Sequence, residues 1–319
     1  MRVLFAGSPA IAVPSLEAIA ALSGEGFTLA GLLTKADSPK RRSSKPEPTE
    51  CAAATAAQSI PLLKPEKLDS AVREQTAALN ADLLVSFAYG KIFGPKFLAL
   101  FPLGGINIHP SLLPQYRGPT PIPAAILNRE TVTGITIQRL AAEMDSGDIL
   151  VQETVPLSGR ETTASLSETM AKKAAELLPA TLRDIAGGTL TARPQDHGAA
   201  TYCSLIKKED GLIDWSRSAA EIDAQIRAFD PWPLSWTTHG DLQLFVLKAE
   251  ALNSAPENAD NAPALPGQVL GKLKDKGILI QTGKGILAVS ELQYRTKKAL
   301  EWNSFLNGAR NFMGAKLGN

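Results

Sequence analysis

The stretch "LDSAVREQTAALNADLLVSFAYG", residues 68–90, carries two kinds of patterning end to end. Up to Asn80, polar and charged residues break up the apolar ones, and the segment reads as a helix. From Ala81 the chain turns mainly apolar, through Leu83, Leu84, Val85 and Phe87, and stops at Gly90, which predicts a short buried strand. The same alternation runs outward in both directions. "RVLFA" (2–6) is a short apolar run stopped by "GSP", and Ile11, Val13, Leu16, Ile19, Ala20 and Leu22 then form a helix face beginning near Pro14. "FTLAGLLT" (27–34) is a second buried strand and "ECAAATAAQ" (50–58) is Ala-rich and helical. "GGINIHPS" (104–111) and "TGITIQRLA" (133–141) add strands, and "SLSETMAKKAAELLPATLRDIAGG" (165–188) is a long amphipathic helix ending in two glycines. The fold class is therefore α/β: a Rossmann-like, mostly parallel sheet with helices on both faces.

After Gly188 the character changes. Residues 189–206 read as a linker and 207–319 as a second domain, so the first domain is 1–188. "SAAEIDAQIRAF" (218–229) is a helix ended by "DPWP". From 242 on, short alternating runs between glycine-containing turns predict a small antiparallel β-barrel. The 319 residues are 44% apolar and 20% charged, as in an ordinary soluble protein, and the net charge is +1. Residues 265–319 nevertheless hold nine Lys and Arg against three acids, a net of +6. Such asymmetry fits a nucleic-acid-facing module, and a lysine-decorated solvent face equally well. Cys51 and Cys203 form no CxxC and lie near no ligand-spaced His, so neither a disulfide framework nor a metal site is expected, and a reducing cytoplasm fits. No apolar run approaches the roughly 20 residues of a membrane span.

Chemistry concentrates in "INIHPSLLPQYRGPTPI" (106–122). Asn107 and His109 are two apart, hence on one face of a strand, and ligands of open parallel sheets bind beyond the carboxyl ends of the strands. "MDSGDIL" (144–150) follows the next strand and puts Asp145 and Asp148 in a tight glycine-containing turn. Asn to hold an oxyanion, His to manage a proton and Asp to orient the His make an acyl-transfer site. The bland alternative is a His satisfied within a loop and an Asp capping a turn. No Ser or Cys with a neighbouring base offers a nucleophile, so transfer is direct, without a covalent enzyme intermediate. "AGSPAIAVPS" after the first strand lacks GxGxxG, which disfavours a nicotinamide dehydrogenase.

"INIHPSLLPQYRGPTPI" together with "MDSGDIL" resembles the formyltransferase family that uses 10-formyltetrahydrofolate. "AGSPAIAVPSLEAI", "FDPWPLSW" and "KKALEWNSFLNG" resemble its branch acting on methionyl-tRNA. The resemblance implies an oligonucleotide-binding (OB-like) barrel at the C-terminus and a catalytic set of Asn107, His109 and Asp145. It implies formyl transfer to the free α-amine of methionine on initiator tRNA, through a tetrahedral intermediate, as a step of translation initiation. The folate would lie against "FAYGKI" (87–92), through Phe87, Ala88, Tyr89, Gly90 and Ile92, and against the 141–148 turn with Asp145. Ser111, Leu112, Leu113 and Pro114 would shape the pocket floor. The basic loop 35–50 would enter the tRNA acceptor end with Lys40, Arg41, Arg42 and Lys45, and Lys272, Lys274, Lys297 and Lys298 would contact tRNA from the barrel. The loop does not align residue by residue with the family's usual Gly-Arg-Gly-Lys-Lys type, and Gln115-Tyr116 stand where many relatives carry Arg or Lys with Trp. No metal is required, and a cytoplasmic monomer is expected. Two alternatives stay open: a formyltransferase for a small amine such as an amino sugar nucleotide, and a non-catalytic RNA-binding protein. His197 and His239 read as surface residues, Cys51 and Cys203 as unreactive, and Trp232 and Trp236 as packing anchors.

Overall fold

Mainly apolar runs mark the strands at the centre of the first unit, and each has its helix or turn signal beside it. The computed structural model describes residues 1–39, 45–252 and 264–318. In chain order the first elements are β1 (Arg2–Gly7), α1 (Val13–Ala21), β2 (Thr28–Leu33), the two-residue strands β3 (Ser38–Pro39) and β4 (Pro46–Glu47), α2 (Glu50–Ala54), β5 (Leu62–Leu63), α3 (Ser70–Ala77) and β6 (Leu83–Phe87). They are followed by α4 (Pro95–Leu98), β7 (Gly105–His109), α5 (Pro121–Leu127), β8 (Val132–Arg139), β9 (Ile149–Pro156) and the 25-residue α6 (Thr163–Gly187). Local chemistry starts these helices: Pro14 stands in the first turn of α1, Thr49 caps α2 through the amide of Ala52, and Asp69 caps α3 through that of Val72. On α6, Leu166, Met170, Ala174, Leu178, Leu182 and Ile185 form the buried stripe, and Gly188 at φ +66° follows its end.

The seven-stranded sheet runs β5-β2-β1-β6-β7-β8-β9. All pairs up to β7 are parallel, as expected of the alternating segments. Strand order reverses at β1, whose neighbours are β2 and β6, so the ends of β1 and β6 open a crevice of the ligand-binding kind. The far edge differs from expectation. β7 with β8 and β8 with β9 are antiparallel, and β9 was not foreseen as a strand. Its sequence, ILVQETVP, has a polar Gln-Glu-Thr centre that is half-buried to exposed at a sheet edge, so it lacks the apolar run that marks the inner strands.

The chain forms two compact units, Met1–Pro121 with Val132–Pro156 and Leu166–Ser204, and Ile122–Thr131 with Leu157–Ser165 and Leu205–Asn319. The second unit contains α7 (Ala219–Ala228), β10 (Ser235–His239), β11 (Leu242–Leu252), β12 (Val269–Leu273), β13 (Gly277–Gln281), β14 (Ile286–Tyr294), β15 (Leu300–Glu301) and α8 (Trp302–Gly308). Its antiparallel sheet is ordered β10-β11-β14-β13-β12, with β15 on β14. The C-terminal tail bridges the two ends of that order. Val269 donates to Ala315 and Leu317 to Gly267 on the β12 side, and Gly318 donates to Thr238 in β10. The result is an antiparallel barrel around Ile222, Ile226, Leu244, Val246, Ile278, Ile280, Leu287 and Val289.

A capping box starts α7. The Ser218 hydroxyl and amide both donate to Glu221, at 2.6 and 3.0 Å, and Arg217 adds a third bond at 3.1 Å. These bonds, the Ser218 hydroxyl foremost, hold the Glu221 carboxyl down at about 2, against 4.5 when free. A lowered carboxyl stabilises the fold above its unfolded value and ceases to do so as pH falls through the folded one. Glu221→Ala is therefore expected to lower the Tm by roughly 2 °C at pH 7. The gap should narrow below pH 4.5 and close near pH 2 in calorimetric scans. An unchanged gap at both pH values contradicts the assignment.

Candidate active site

Strand periodicity builds one polar face on an otherwise apolar sheet. Asn107 and His109 share a face of β7, and their antiparallel partners on β8, Gln138 and Thr136, share it too. Gln152 of β9 lies opposite Thr136 and extends the row. Thr136 is the pin of the "PSLLP" turn. Its hydroxyl donates to the Ser111 carbonyl (2.7 Å) and accepts from the Leu113 amide (3.2 Å) and from Gln152 Nε2 (2.9 Å). Gln152 Nε2 also donates to the Leu113 carbonyl at 2.9 Å, and the Leu113–Pro114 bond is cis.

The turn then brings the Tyr116 carbonyl over the imidazole, 2.8 Å from His109 Nε2. A carbonyl only accepts, so Nε2 carries the hydrogen and Nδ1 is the nitrogen free to exchange a proton. His109 is 4% exposed, and its Nδ1 faces Asp145 Oδ2 at 3.6 Å.

Asp145 arrives by a route different from the one expected. Leu140, just past β8, bonds to Gly105 at the amino end of β7, and the 140–148 connection folds back across the sheet face to reach Asn107 and His109. Two residues allow the fold-back. Asp145 has φ +51°, a left-handed conformation Asp tolerates, and a Cβ at Gly147 would fall 1.9 Å from the Arg139 carbonyl oxygen. The carboxylate is then enclosed by donors. Oδ1 accepts from Asn107 Nδ2 (3.3 Å) and Gln138 Nε2 (3.0 Å), and Oδ2 from the Gly118 amide (2.8 Å). Gly118 is at φ +119°, with no room for a Cβ against the Cys203 carbonyl oxygen. Arrangement and chemistry agree: an amide with a spare hydrogen, an imidazole beside a carboxylate, and three N–H donors on that carboxylate.

Behind this face, Arg117 is 2% exposed and donates to Gln195 Oε1 from Nε and Nη2 (3.1 and 2.7 Å). Gln195 Nε2 in turn reaches the carbonyls of Asp145 (2.9 Å) and Gly147 (2.6 Å). Sequence reading missed Thr136, Gln138, Gln152, Arg117 and Gln195. A signal for the first two existed, since T-x-Q is a polar alternation inside an apolar strand. Gln195 has none, as its contacts lie some 50 to 80 residues away in the chain.

The other candidates are placed as follows. Phe87 and Tyr89 are buried, and Tyr89 stacks on Phe93 at 5.5 Å. The Tyr89 hydroxyl makes no hydrogen bond and burial pushes it up to about 12. Ala88 (φ +51°) and Gly90 (φ +81°) are exposed, and Ile92 is 73% exposed. Ser111 and Leu113 are buried, Leu112 and Pro114 half-buried, and Asp148 is exposed. Lys45, Lys272, Lys274, Lys297 and Lys298 are exposed. Lys40, Arg41 and Arg42 lie outside the described residues. Burial pushes the Cys51 thiol up to about 12 and also raises that of Cys203, in line with unreactive thiols. His197 is exposed, as expected, and accepts from Arg117 Nη2 at 3.1 Å. Two expectations are corrected. His239 is half-buried, 2.6 Å from the Tyr294 hydroxyl and edge-on to Phe312, because the end of β10 packs onto an aromatic cluster. Trp232 is 57% exposed and anchors nothing, whereas Trp236 is half-buried with its indole N–H on the Lys208 carbonyl.

Among the described residues no three His, Cys, Asp or Glu side chains are grouped to hold a metal ion, and no helix is long and apolar enough to cross a membrane. Residues 1–182 match the formyl transferase family and residues 205–310 the formyl transferase C-terminal domain family. The chain is 49% identical to the methionyl-tRNA formyltransferase of Treponema denticola, over 98% of each chain. An N-formyltransferase of Helicobacter canadensis, solved with folinic acid and dTDP-3-aminofucose, shares its fold at TM-score 0.64 and 20% identity, over 90% of this chain and 98% of that one. The HypX protein of Aquifex aeolicus, solved with tetrahydrofolic acid, matches at TM-score 0.63 and 18% identity, over 96% of this chain and 47% of that one.

Proposed function

The chain belongs to the formyl transferase family, and from that premise we propose that it moves the formyl group of 10-formyltetrahydrofolate onto the free α-amine of methionine esterified to initiator tRNA. The observation that carries this reading is the meeting of Asn107, His109 and Asp145 on one sheet face, with 3.3 and 3.6 Å between the carboxylate and its two partners. On this reading residues 1–188 perform the chemistry, 189–206 link, and 207–319 hold the tRNA, in a cytoplasmic monomer.

The folate supplies the formyl carbon. The residues present fit such a flat, edge-polar ring: Ala88 and Gly90 are exposed, Ile92 offers an exposed apolar side chain, and residues 141–144 ahead of Asp145 are exposed. Phe87, Tyr89, Ser111 and Leu113 act from beneath, as the packed support of that surface. Asn107 spends one amide hydrogen on Asp145 and keeps the other for the oxygen that gains charge as the amine attacks. His109 holds its Nε2 hydrogen on Tyr116 and exchanges a proton at Nδ1, next to the carboxylate that balances the charge of a doubly protonated ring. Asp145, with both oxygens already occupied by N–H donors, fixes Asn107 and His109 relative to each other.

The test is a formyl-transfer assay with labelled 10-formyltetrahydrofolate. Its acceptors are methionyl initiator tRNA, methionyl elongator tRNA and an amino sugar nucleotide. Label is expected on the initiator with a kcat/KM far above that of the other two. Preferential labelling of the sugar, or no labelling at all, overturns the proposal.

A further inference from the structure

We propose that Gln195, held by the buried guanidinium of Arg117, is a positioning residue that sets the orientation of the Asp145 carboxylate. The inference rests on the catalytic reading of Asp145.

Hydrogen-bond direction carries it. A guanidinium only donates. Arg117 places Nε and Nη2 on one oxygen, Gln195 Oε1, and its remaining described partners are His197 Nδ1 (3.1 Å) and the Tyr202 hydroxyl (3.4 Å). The Gln195 oxygen is thus committed to Arg117 and its NH2 must point the opposite way. It does, toward the carbonyls of Asp145 and Gly147 and toward Gln138 Oε1 at 3.2 Å. Gln138 is 1% exposed, and its amide is fixed in turn. Because Oε1 accepts from Gln195, Nε2 faces Asp145 Oδ1 at 3.0 Å. Reversed, Gln138 would press a carbonyl oxygen against a carboxylate.

One direction therefore runs from a cation through two buried amides to the carboxylate, and each bond polarises the next. Gln195 also grips the Asp145 backbone itself, where φ is +51° and the chain needs holding. A merely structural Arg117 is already served elsewhere. Its amide bonds to Thr201 and its carbonyl to Cys203, and neither bond involves Gln195.

Gln195→Glu separates the two roles. A carboxylate keeps and strengthens the grip on Arg117 but has no N–H for Asp145, Gly147 or Gln138. The buried carboxylate oxygen then faces three acceptor oxygens, so the expected result is a folded protein with a lowered Tm, kcat down about 10- to 100-fold and KM for both substrates changed less than threefold, as for a misplaced catalytic group. Gln138→Leu, which removes the second amide at similar volume, is expected to lower kcat by a comparable factor, and the two losses should not multiply in the double variant. Asp145→Asn is run alongside. If it abolishes turnover while folded Gln195→Glu and Gln138→Leu keep wild-type kcat, the positioning role is overturned and the catalytic reading stands. If Asp145→Asn itself turns over normally, both fall.

Discussion

Asp145→Asn is expected to lower kcat by about 10³- to 10⁴-fold while tRNA still binds, the range seen when an orienting carboxylate beside an imidazole becomes an amide. The substitution keeps the shape but converts one acceptor into a donor. Both carboxylate oxygens now accept N–H groups: Oδ1 from Asn107 and Gln138, Oδ2 from the Gly118 amide. Whichever way an Asn turns, its NH2 meets another donor. Turned toward Gly118, it also removes the negative atom that His109 Nδ1 faces at 3.6 Å. Asn107→Ala deletes one proposed oxyanion donor and should cost about 10²- to 10³-fold in kcat. His109→Ala should cost at least as much, since the ring is buried and nothing on the 106–122 stretch replaces it. Single-turnover rates, with tRNA dissociation constants measured in parallel, decide the matter. A kcat within tenfold of wild type for Asp145→Asn, or a loss of tRNA affinity equal to the loss of rate, would mean that the carboxylate merely braces the 140–148 loop.

The parallel part of the sheet was legible because burial on both faces leaves a strand no polar positions, and Leu83–Phe87 and Arg2–Gly7 have almost none. The same rule hid β9, whose edge position lets Gln152, Glu153 and Thr154 face outward or into the polar row. Without β9 the 140–148 segment looks like a turn at a strand's carboxyl end. Only the antiparallel register of β8 shows that it starts at the opposite end of β7 and doubles back. Asn107, His109 and Asp145 were recognisable by residue type and spacing. Their supports were not: Thr136 and Gln138 show only as polar breaks in an apolar run, and Gln195 lies in a segment with no periodicity, tied to the site by contacts that close loops of about 50 residues. Side chains that orient a functional group leave little local pattern, because their constraint comes from distant partners.

Affinity for tRNA is expected to fall on the order of 10²-fold between 50 and 200 mM salt, from four barrel lysines alone. The ground is which lysines are already paired. Lys248 is held by Glu291 and Lys276 by Glu250, each at 2.7 Å, so a phosphate gains little from either. Lys272, Lys274, Lys297 and Lys298 are exposed and in no ion pair among the described residues, within a segment whose net charge is +6. An ammonium that meets a phosphate directly displaces condensed counterions, and each such contact contributes roughly 0.7 to 0.9 to the slope of log K against log salt. Four contacts give a slope near −3, and those of loop 35–50 would steepen it. Removing Lys297 or Lys298 should flatten the slope by nearly one unit and weaken every tRNA alike, because a phosphate contact positions without reading sequence. Lys276→Ala serves as the control: its charge is already satisfied, so its slope should stay near that of the wild type. Anisotropy titrations at four salt concentrations measure both quantities. A flat response in the wild type, or equal slope changes for Lys276→Ala and Lys297→Ala, would show that the basic surface is a solvated face and that tRNA is held by other means.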